Sequence, residues 1–357
     1  MKRCILAAAV LLCLAPAMHA QEMVFTDATQ LTLTGKLFYD TPNPYHRVDT
    51  VRFKGFTEGE NIQVRCSAGL AVLFRTNAPE ISLRAAYGYQ NRASNTMGIA
   101  LRGFDLYIRT PEGRWMFAAS KEGKDKESVR LIASMDSTMK ECMLYLPMYS
   151  ELYSLEIGVP EGSVLEALPS PFRHRVGIFG SSFTQGISIS RTGMSYPDQF
   201  TRDTGIQLLS LGCSGNCKLQ PYFAEVLKAA DVDALVFDAF SNPLADMIRE
   251  RLFPFIEAIQ EAHPDIPLIF MQTIHRCSTH YDLERRRVEQ EKQDAAEELM
   301  KEACKRYKNV YFIRPCANDD HHETSVDGTH PDDYGYTLWA RSIEKPILRI
   351  LRRYGMK

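Results

Sequence analysis

Residues 21 to about 168 carry apolar side chains in short alternating runs rich in Val, Ile, Leu, Phe and Tyr. The runs fall at residues 33–39, 62–67, 71–75, 81–86, 98–102, 106–109, 143–147 and 153–159. Gly, Asn, Pro and Glu clusters punctuate them at the spacing of an antiparallel sandwich or jelly roll. No stretch here shows a clear helical period, so this half reads as all-β. Pro169, Ser170 and Pro171 form a short, stiff linker.

Beyond the linker the period changes. Residues 175–180, 206–211, 234–240, 268–273 and 310–314 are near-continuous apolar runs, the pattern of strands buried on both faces. Helical stretches intervene, most clearly 247–262 and 283–307, with Pro264 and Asn309 as stops and a last helix from Tyr334 onward. Strand–helix alternation predicts a parallel sheet with helices on both sides, an α/β domain over residues 175–357. The expected organisation is therefore a β-sandwich over residues 21–168 followed by this three-layer domain.

The first 20 residues change the picture of where the protein works. Lys2 and Arg3 precede an apolar run from Ile5 to Leu14, then Pro16 and small residues up to Ala20. That is the composition of a secretory signal peptide, and the run is shorter than the ~20 residues a bilayer span needs. Leu12 stands where a lipoprotein signal before Cys13 wants a small residue. The expectation is cleavage near Ala20 and a periplasmic or secreted protein with no membrane span. The remaining chain has 40 basic and 44 acidic residues, with no basic stripe of the nucleic-acid-binding kind. Seven cysteines follow the leader: Cys66, Cys142, Cys213, Cys217, Cys277, Cys304 and Cys316. An odd number leaves at least one thiol unpaired or bridging between chains. Cys213 and Cys217 have the spacing to bridge a turn, but buried free thiols are the expectation.

An open parallel sheet binds ligands beyond the carboxyl ends of its strands, so the residues found there matter most. The first strand runs into Gly180-Ser181-Ser182-Phe183-Thr184-Gln185-Gly186, which sets a hydroxyl at the sheet edge beside free backbone N–H groups. The second runs into Gly212-Cys213-Ser214-Gly215-Asn216, where Gly215 offers an N–H unobstructed by a side chain. The third reaches Asp238, read as a structural carboxylate, and Asn242, whose amide is a further donor. The sharpest signal is Asp327-Gly328-Thr329-His330-Pro331. A serine hydroxyl needs an imidazole to take its proton, and the imidazole needs a carboxylate to fix its tautomer. Three residues of separation let Asp327 fold back onto His330, and Pro331, Asp332 and Asp333 start the last helix.

Block by block these segments resemble the SGNH (GDSL-like) hydrolase family. Ser182 matches the nucleophile of its first block, Gly215 the glycine of the second, Asn242 the asparagine of the third, and Asp327 and His330 its D-x-x-H. Ser181 replaces the Asp of the G-D-S form, which is not a triad member. Phe240 and Pro243 replace the outer residues of the usual G-x-N-D. Gly103-Phe104-Asp105-Leu106-Tyr107 resembles the G-x-D-L-Y signature of a β domain attached to certain members, as does the segment Leu144-Tyr145-Leu146-Pro147. A turn and a core strand account for that signature physically, and Asp105 is given no catalytic part.

The resemblance implies a flavodoxin-like catalytic domain with a Ser182–His330–Asp327 triad. It also implies an oxyanion hole of Ser182, Gly215 and Asn242, and no metal or organic cofactor. It points to short acyl esters, especially acetyl groups on polysaccharide, as substrate. His275 and Arg276 are expected near the pocket wall. Three other readings compete. A metal hydrolase would use Asp319, Asp320, His321 and His322 with Asp327 and His330, but no H-E-x-x-H or C-x-x-C spacing supports it. A glycan-binding protein with a degenerate hydrolase domain, and an acyltransferase using the same site, are the others.

Overall fold

A computed structural model describes residues 22–274, 276–315 and 323–357. The N-terminal segment read as a leader, His275, Cys316, Asp319, Asp320, His321 and His322 lie outside the described residues. In chain order the elements are β1 (Met23–Asp27), β2 (Thr32–Thr34), α1 (Glu58–Arg65), β3 (Ala71–Thr76), β4 (Ile81–Gln90), α2 (Gly98–Arg102) and β5 (Gly103–Arg109). Next come β6 (Trp115–Glu122), β7 (Ser128–Ile132), β8 (Lys140–Tyr145), β9 (Ser150–Pro160) and β10 (Leu165–Ala167). The second half contains β11 (Val176–Gly180), α3 (Ser182–Gln185), α4 (Tyr196–Thr204), β12 (Leu208–Gly212), α5 (Pro221–Lys228), β13 (Ala234–Asp238) and α6 (Ala245–Ala262). It closes with β14 (Leu268–Met271), α7 (Leu283–Arg306), β15 (Val310–Ile313) and α8 (Asp333–Arg353).

The first half is a sandwich of two antiparallel sheets. One has the order β1-β9-β4-β7, the other β10-β3-β8-β5-β6, with β2 also on β3. Their inward residues, among them Val72, Phe74, Leu83, Phe104, Leu144 and Leu155, form one core. Two segments expected as strands are helical. Residues 62–67 fall largely within α1, because Thr57 caps its start. The Thr57 hydroxyl accepts from the Glu60 N–H and the Glu60 carboxylate accepts from the Thr57 N–H. That T-x-x-E capping box was present in the sequence and outweighs the short apolar run. Residues 98–102 form α2, which sends Ala100 and Leu101 into the core beneath the second half. A five-residue apolar run does not reveal its period, and this burial decides it. Strands β1, β6 and β7 and helices α4 and α5 were not anticipated. β6 and β7 leave many of their residues at the surface, and α4 is mostly polar.

The second half is a parallel sheet of order β12-β11-β13-β14-β15. Its register sets Gly180 opposite both Gly212 and Asp238, so the first three strands end at one level. The order reverses beside β11, which opens the crevice where ligands bind in such sheets. Helices α5, α6 and α7 cover one face, while α4 and α8 cover the other.

The two halves are packed as one body. Leu37, Phe38, Val48 and Val64 of the first half enter one core of the α/β half, and Met148 and Tyr149 enter the other. The chain turns there at Gly35 (φ +88°), where a Cβ would meet the Gly69 carbonyl oxygen at 2.1 Å. Arg47, 1% exposed, donates within the β half to the carbonyls of Gln63 (2.6 Å) and Cys66 (2.9 Å), and across the junction to those of Ser210 (3.3 Å) and Gly212 (2.9 Å). A buried guanidinium is tolerated only with its donors satisfied, and here it ties the β half to the end of β12. Arg47→Met should remove the guanidinium donors from four buried carbonyls and lower the unfolding free energy by ~3 kcal/mol or more, measured by urea denaturation. An unchanged midpoint would show that the junction does not depend on this residue.

Candidate active site

Ser182 is the first residue of α3, directly after β11, and is 5% exposed. The turn that carries it is held by Asp238 at the end of β13. Asp238 Oδ2 accepts from the Ser181 hydroxyl (2.7 Å), the Ser181 N–H (3.2 Å) and the Thr184 hydroxyl (2.9 Å), and Oδ1 accepts from Ser241 (3.0 Å). Burial pushes this carboxyl above its ordinary value, and the hydrogen bonds from Ser181, Thr184 and Ser241 work against the shift. Ser181 also caps α3 by accepting from the Phe183 N–H at 3.2 Å. The hydroxyl in place of the family's Asp therefore serves both the cap and the buried carboxylate. Asp238 is structural, as expected.

Gly180 and Gly212 let the strands meet α3 closely. A Cβ at Gly180 would lie 1.9 Å from Thr184 Oγ1, and one at Gly212 only 2.3 Å from the Gln185 backbone nitrogen. At Gly215 no protein atom crowds the position, and a Cβ there would stand in open space. What this glycine needs is a φ of +73°. Its turn is pinned on both sides. Gln185 Oε1 accepts from the Ser214 N–H (2.9 Å), and Gln63 Nε2 donates to the Ser214 carbonyl (2.7 Å). Asn242 accepts the Cys217 N–H on Oδ1 at 3.2 Å, which leaves its amide hydrogens for another acceptor. Cys213 and Cys217 are buried free thiols, as are Cys66 and Cys142.

The D-x-x-H segment is a closed turn. Ser325 and Pro331 pair as a β-bridge, the Val326 N–H donates to the His330 carbonyl at 3.0 Å, and Gly328 takes φ +77°. Asp332 caps α8 by accepting from the Gly335 N–H at 2.8 Å, which fixes the exit of the turn. Asp327 Oδ1 accepts the N–H groups of Thr329 (2.9 Å) and His330 (2.8 Å). Its Oδ2 meets His330 Nδ1 at 2.8 Å, and His330 Nε2 lies 3.1 Å from Ser182 Oγ. The hydroxyl, imidazole and carboxylate named from sequence thus stand in one hydrogen-bonded line. Partial burial raises the Asp327 carboxyl, but hydrogen bonds from His330, Asn95 and Thr329 outweigh it and hold the group well below the usual carboxylate range.

Arg276 is turned inward. It pairs with Glu289 at 2.8 Å and donates to the Ser241 carbonyl at 2.8 Å, bracing the Asn242 segment from behind. Sequence reasoning missed Asn95, Gln63 and Arg47, which the β half brings to the loops of the site. No local motif marks them. The G-x-D-L-Y signature is also more than a core strand. Asp105 Oδ2 accepts from Arg191 Nη1 (2.5 Å) and the Gly193 N–H (2.8 Å), and Arg191 reaches the Tyr107 hydroxyl at 2.7 Å. The signature clamps the loop that follows Ser182. A cavity of about 660 Å³ lies between residues 94–97 of the β half and the start of α8, with Met97, Val326 and Tyr334 exposed along it.

This combination of sheet order, strand-end glycines and serine–histidine–aspartate line is the architecture of an SGNH-type hydrolase. Residues 23–165 match the family described as the N-terminus of Esterase_SGNH_hydro-type, and residues 173–349 match the GDSL-like Lipase/Acylhydrolase family. A candidate GDSL-like lipase from Bacteroides ovatus ATCC 8483 has a similar solved structure. It is 34% identical, with a TM-score of 0.89, over 93% of this chain and 98% of that one. The chain belongs to the GDSL-like lipase/acylhydrolase family, with the family's β domain at its N-terminal side. At 18% identity and a TM-score of 0.67, the salicylyl-acyltransferase SsfX3 from a tetracycline biosynthetic pathway shares the fold over 93% of this chain and 99% of its own. So does a family two carbohydrate esterase from Cellvibrio japonicus, at 11% and 0.58 over the same shares. No curated protein matches the chain.

The depressed Asp327 carboxyl has a consequence for stability. In the acid range the folded chain binds fewer protons at this group than the unfolded chain does. Its contribution is therefore present above the ordinary Asp value of about 4 and is lost as pH falls below it. Thermal melts of Asp327→Asn should lie below wild type at pH 6, and the gap should narrow steadily as pH falls from about 4 toward 2. A constant gap across that range would contradict the assignment.

Proposed function

We propose that this protein is an exported serine esterase that removes short acyl groups, acetyl in particular, from carbohydrate. The observation that carries the reading is His330, placed within hydrogen-bond reach of both the Ser182 hydroxyl and the Asp327 carboxylate. Asp327 selects the tautomer with the proton on Nδ1, which leaves Nε2 free to accept the Ser182 proton. Ser182 Oγ attacks the ester carbonyl, and the oxyanion is received by the N–H groups of Ser182 and Gly215 and the Asn242 amide. Imidazolium then protonates the departing alcohol. Water, deprotonated by His330, releases the acid from the acyl-enzyme. These steps need only the chain's own groups.

The carbohydrate part of the reading draws on the cavity beside the Asp327–His330 turn, whose lining includes Asn95, Val326 and Asp332. The family's two-domain form and the fold shared with carbohydrate esterases point the same way. Export is supported by the basic-then-apolar run of residues 2–14. Acyl transfer to a second alcohol uses the same acyl-enzyme, and product analysis with added acceptor alcohols separates the two outcomes.

Ser182→Ala should lower kcat/KM on p-nitrophenyl acetate by at least about 10³-fold while the protein stays folded. Asn242→Ala should cost roughly 10²-fold in kcat if its amide meets the oxyanion. A panel of p-nitrophenyl esters of rising chain length, run beside acetylated glycans, tests the substrate. Turnover confined to long acyl chains would rule out the deacetylase reading. Activity lost to EDTA but resistant to a serine-directed organophosphate would overturn the serine mechanism.

A further inference from the structure

The catalytic aspartate has a partner that does not come from its own domain. Asn95 sits in the β4–α2 connection of the β half, and its Nδ2 donates to Asp327 Oδ2 at 2.8 Å. That is the oxygen facing His330 Nδ1. The other oxygen, Oδ1, is already occupied by the turn's own N–H groups. With Oδ1 alone pinned, the carboxylate and the ring are free to swing together about the side-chain torsion. A second donor on Oδ2 stops that rotation and holds the ring aimed at Ser182.

Asn95 is itself held. The Thr96 hydroxyl, buried, donates to Asn95 Oδ1 at 3.3 Å and accepts the Ser188 N–H at 2.8 Å. The Asn95 amide can face only one way, because the opposite setting would put its carbonyl against a carboxylate. Ser188 lies six residues beyond Ser182 on the same loop and adopts φ +69°, a conformation costly for a residue with a Cβ. Each group donates to the next: Ser188 N–H to Thr96, Thr96 to Asn95, Asn95 to Asp327. His330 and Ser182 then complete a ring that returns to the same loop. The ring passes through the β half, crossing the junction at Ser188–Thr96 and again at Asn95–Asp327.

We propose that Asn95 is a positioning residue of the active site, supplied by the β half, which fixes the Asp327 carboxylate and through it the aim of His330. This rests on the Ser182–His330–Asp327 reading given above. Charged groups around the pair are Arg276 on the loop after β14, Arg285 of α7, which donates to Thr329 Oγ1 at 2.5 Å, and Asp332 and Asp333 at the start of α8. Changes at Asn95 leave all four in place.

The experiment compares full-length wild type, Asn95→Ala, Asn95→Asp and Ser182→Ala on p-nitrophenyl acetate across pH, with the downfield proton resonance of His330 Nδ1–H recorded for each. Asn95→Ala should lower kcat about tenfold with KM within about twofold, since aim rather than binding is lost. Asn95→Asp sets a second carboxylate against Asp327, so the acid limb of kcat/KM should move up by about one pH unit, and the downfield resonance should shift with it. Wild-type kcat and pH profile in both variants, with the resonance unmoved, would overturn the proposal. So would a lower melting temperature with profile and resonance unchanged, because that marks a purely structural contact. If Asn95→Asp does not fold, kcat and the resonance in Asn95→Ala decide. Full activity in Ser182→Ala would instead sink the triad reading itself, a result distinct from loss in Ser182→Ala with Asn95 variants unaffected.

Discussion

A single buried carboxylate organises the floor of the site. Asp238 closes β13 where β11 ends beside it, and it gathers donors from Ser181, Thr184 and Ser241. A carboxylate removed from water is costly unless its lone pairs are filled, so the two loops supplying the donors must approach it together. One loop carries Ser182 and the other carries Asn242. The distance between the Ser182 hydroxyl and the Asn242 amide is thus set by the need to satisfy one buried carboxyl group from within. Thr273, hydrogen-bonded to Ser241 at 2.7 Å, brings the loop after β14 into the same network.

The β half does mechanical work on the loops above that floor. Arg47 grips the end of β12, Gln63 holds the Ser214 turn, Asn95 meets Asp327, and Asp105 with Tyr107 binds Arg191. Loops at the ends of parallel strands have few neighbours within their own domain and are otherwise among the least stable parts of a fold. Each receives a polar anchor from across a junction that is also packed with apolar side chains. The dependence is reciprocal, because Leu37, Phe38 and Leu101 of the β half are buried in clusters built largely from α/β-half side chains.

Local chemistry was legible wherever the chain repeats a period or closes a motif within a few residues. The five parallel strands follow from apolar runs too continuous for a one-sided sheet, and the long helices from their period and stops. Asp327 and His330 could be paired because three residues of separation in a Gly-containing turn leave the carboxylate little else to reach. Ser182 and Asn242 were visible as polar residues stranded at the ends of apolar runs. The helices at 58–65 and 98–102 were not, since a short apolar run fits a strand or a helix equally well. The first had a capping box to reveal it; the second is helical only because of what it packs against.

The sequence by itself therefore determined the two fold classes, the order of the candidate catalytic blocks and the internal geometry of the Asp327–His330 turn, all of which depend on contacts a few residues apart. Only the tertiary structure decided which side chains from residues 36–105 stand behind those blocks. Asn95 and Asp327 are 232 positions apart, and no local propensity records such a pairing. It exists because burying apolar surface at the junction fixes one half against the other, and the polar groups left facing across that junction had to find partners there.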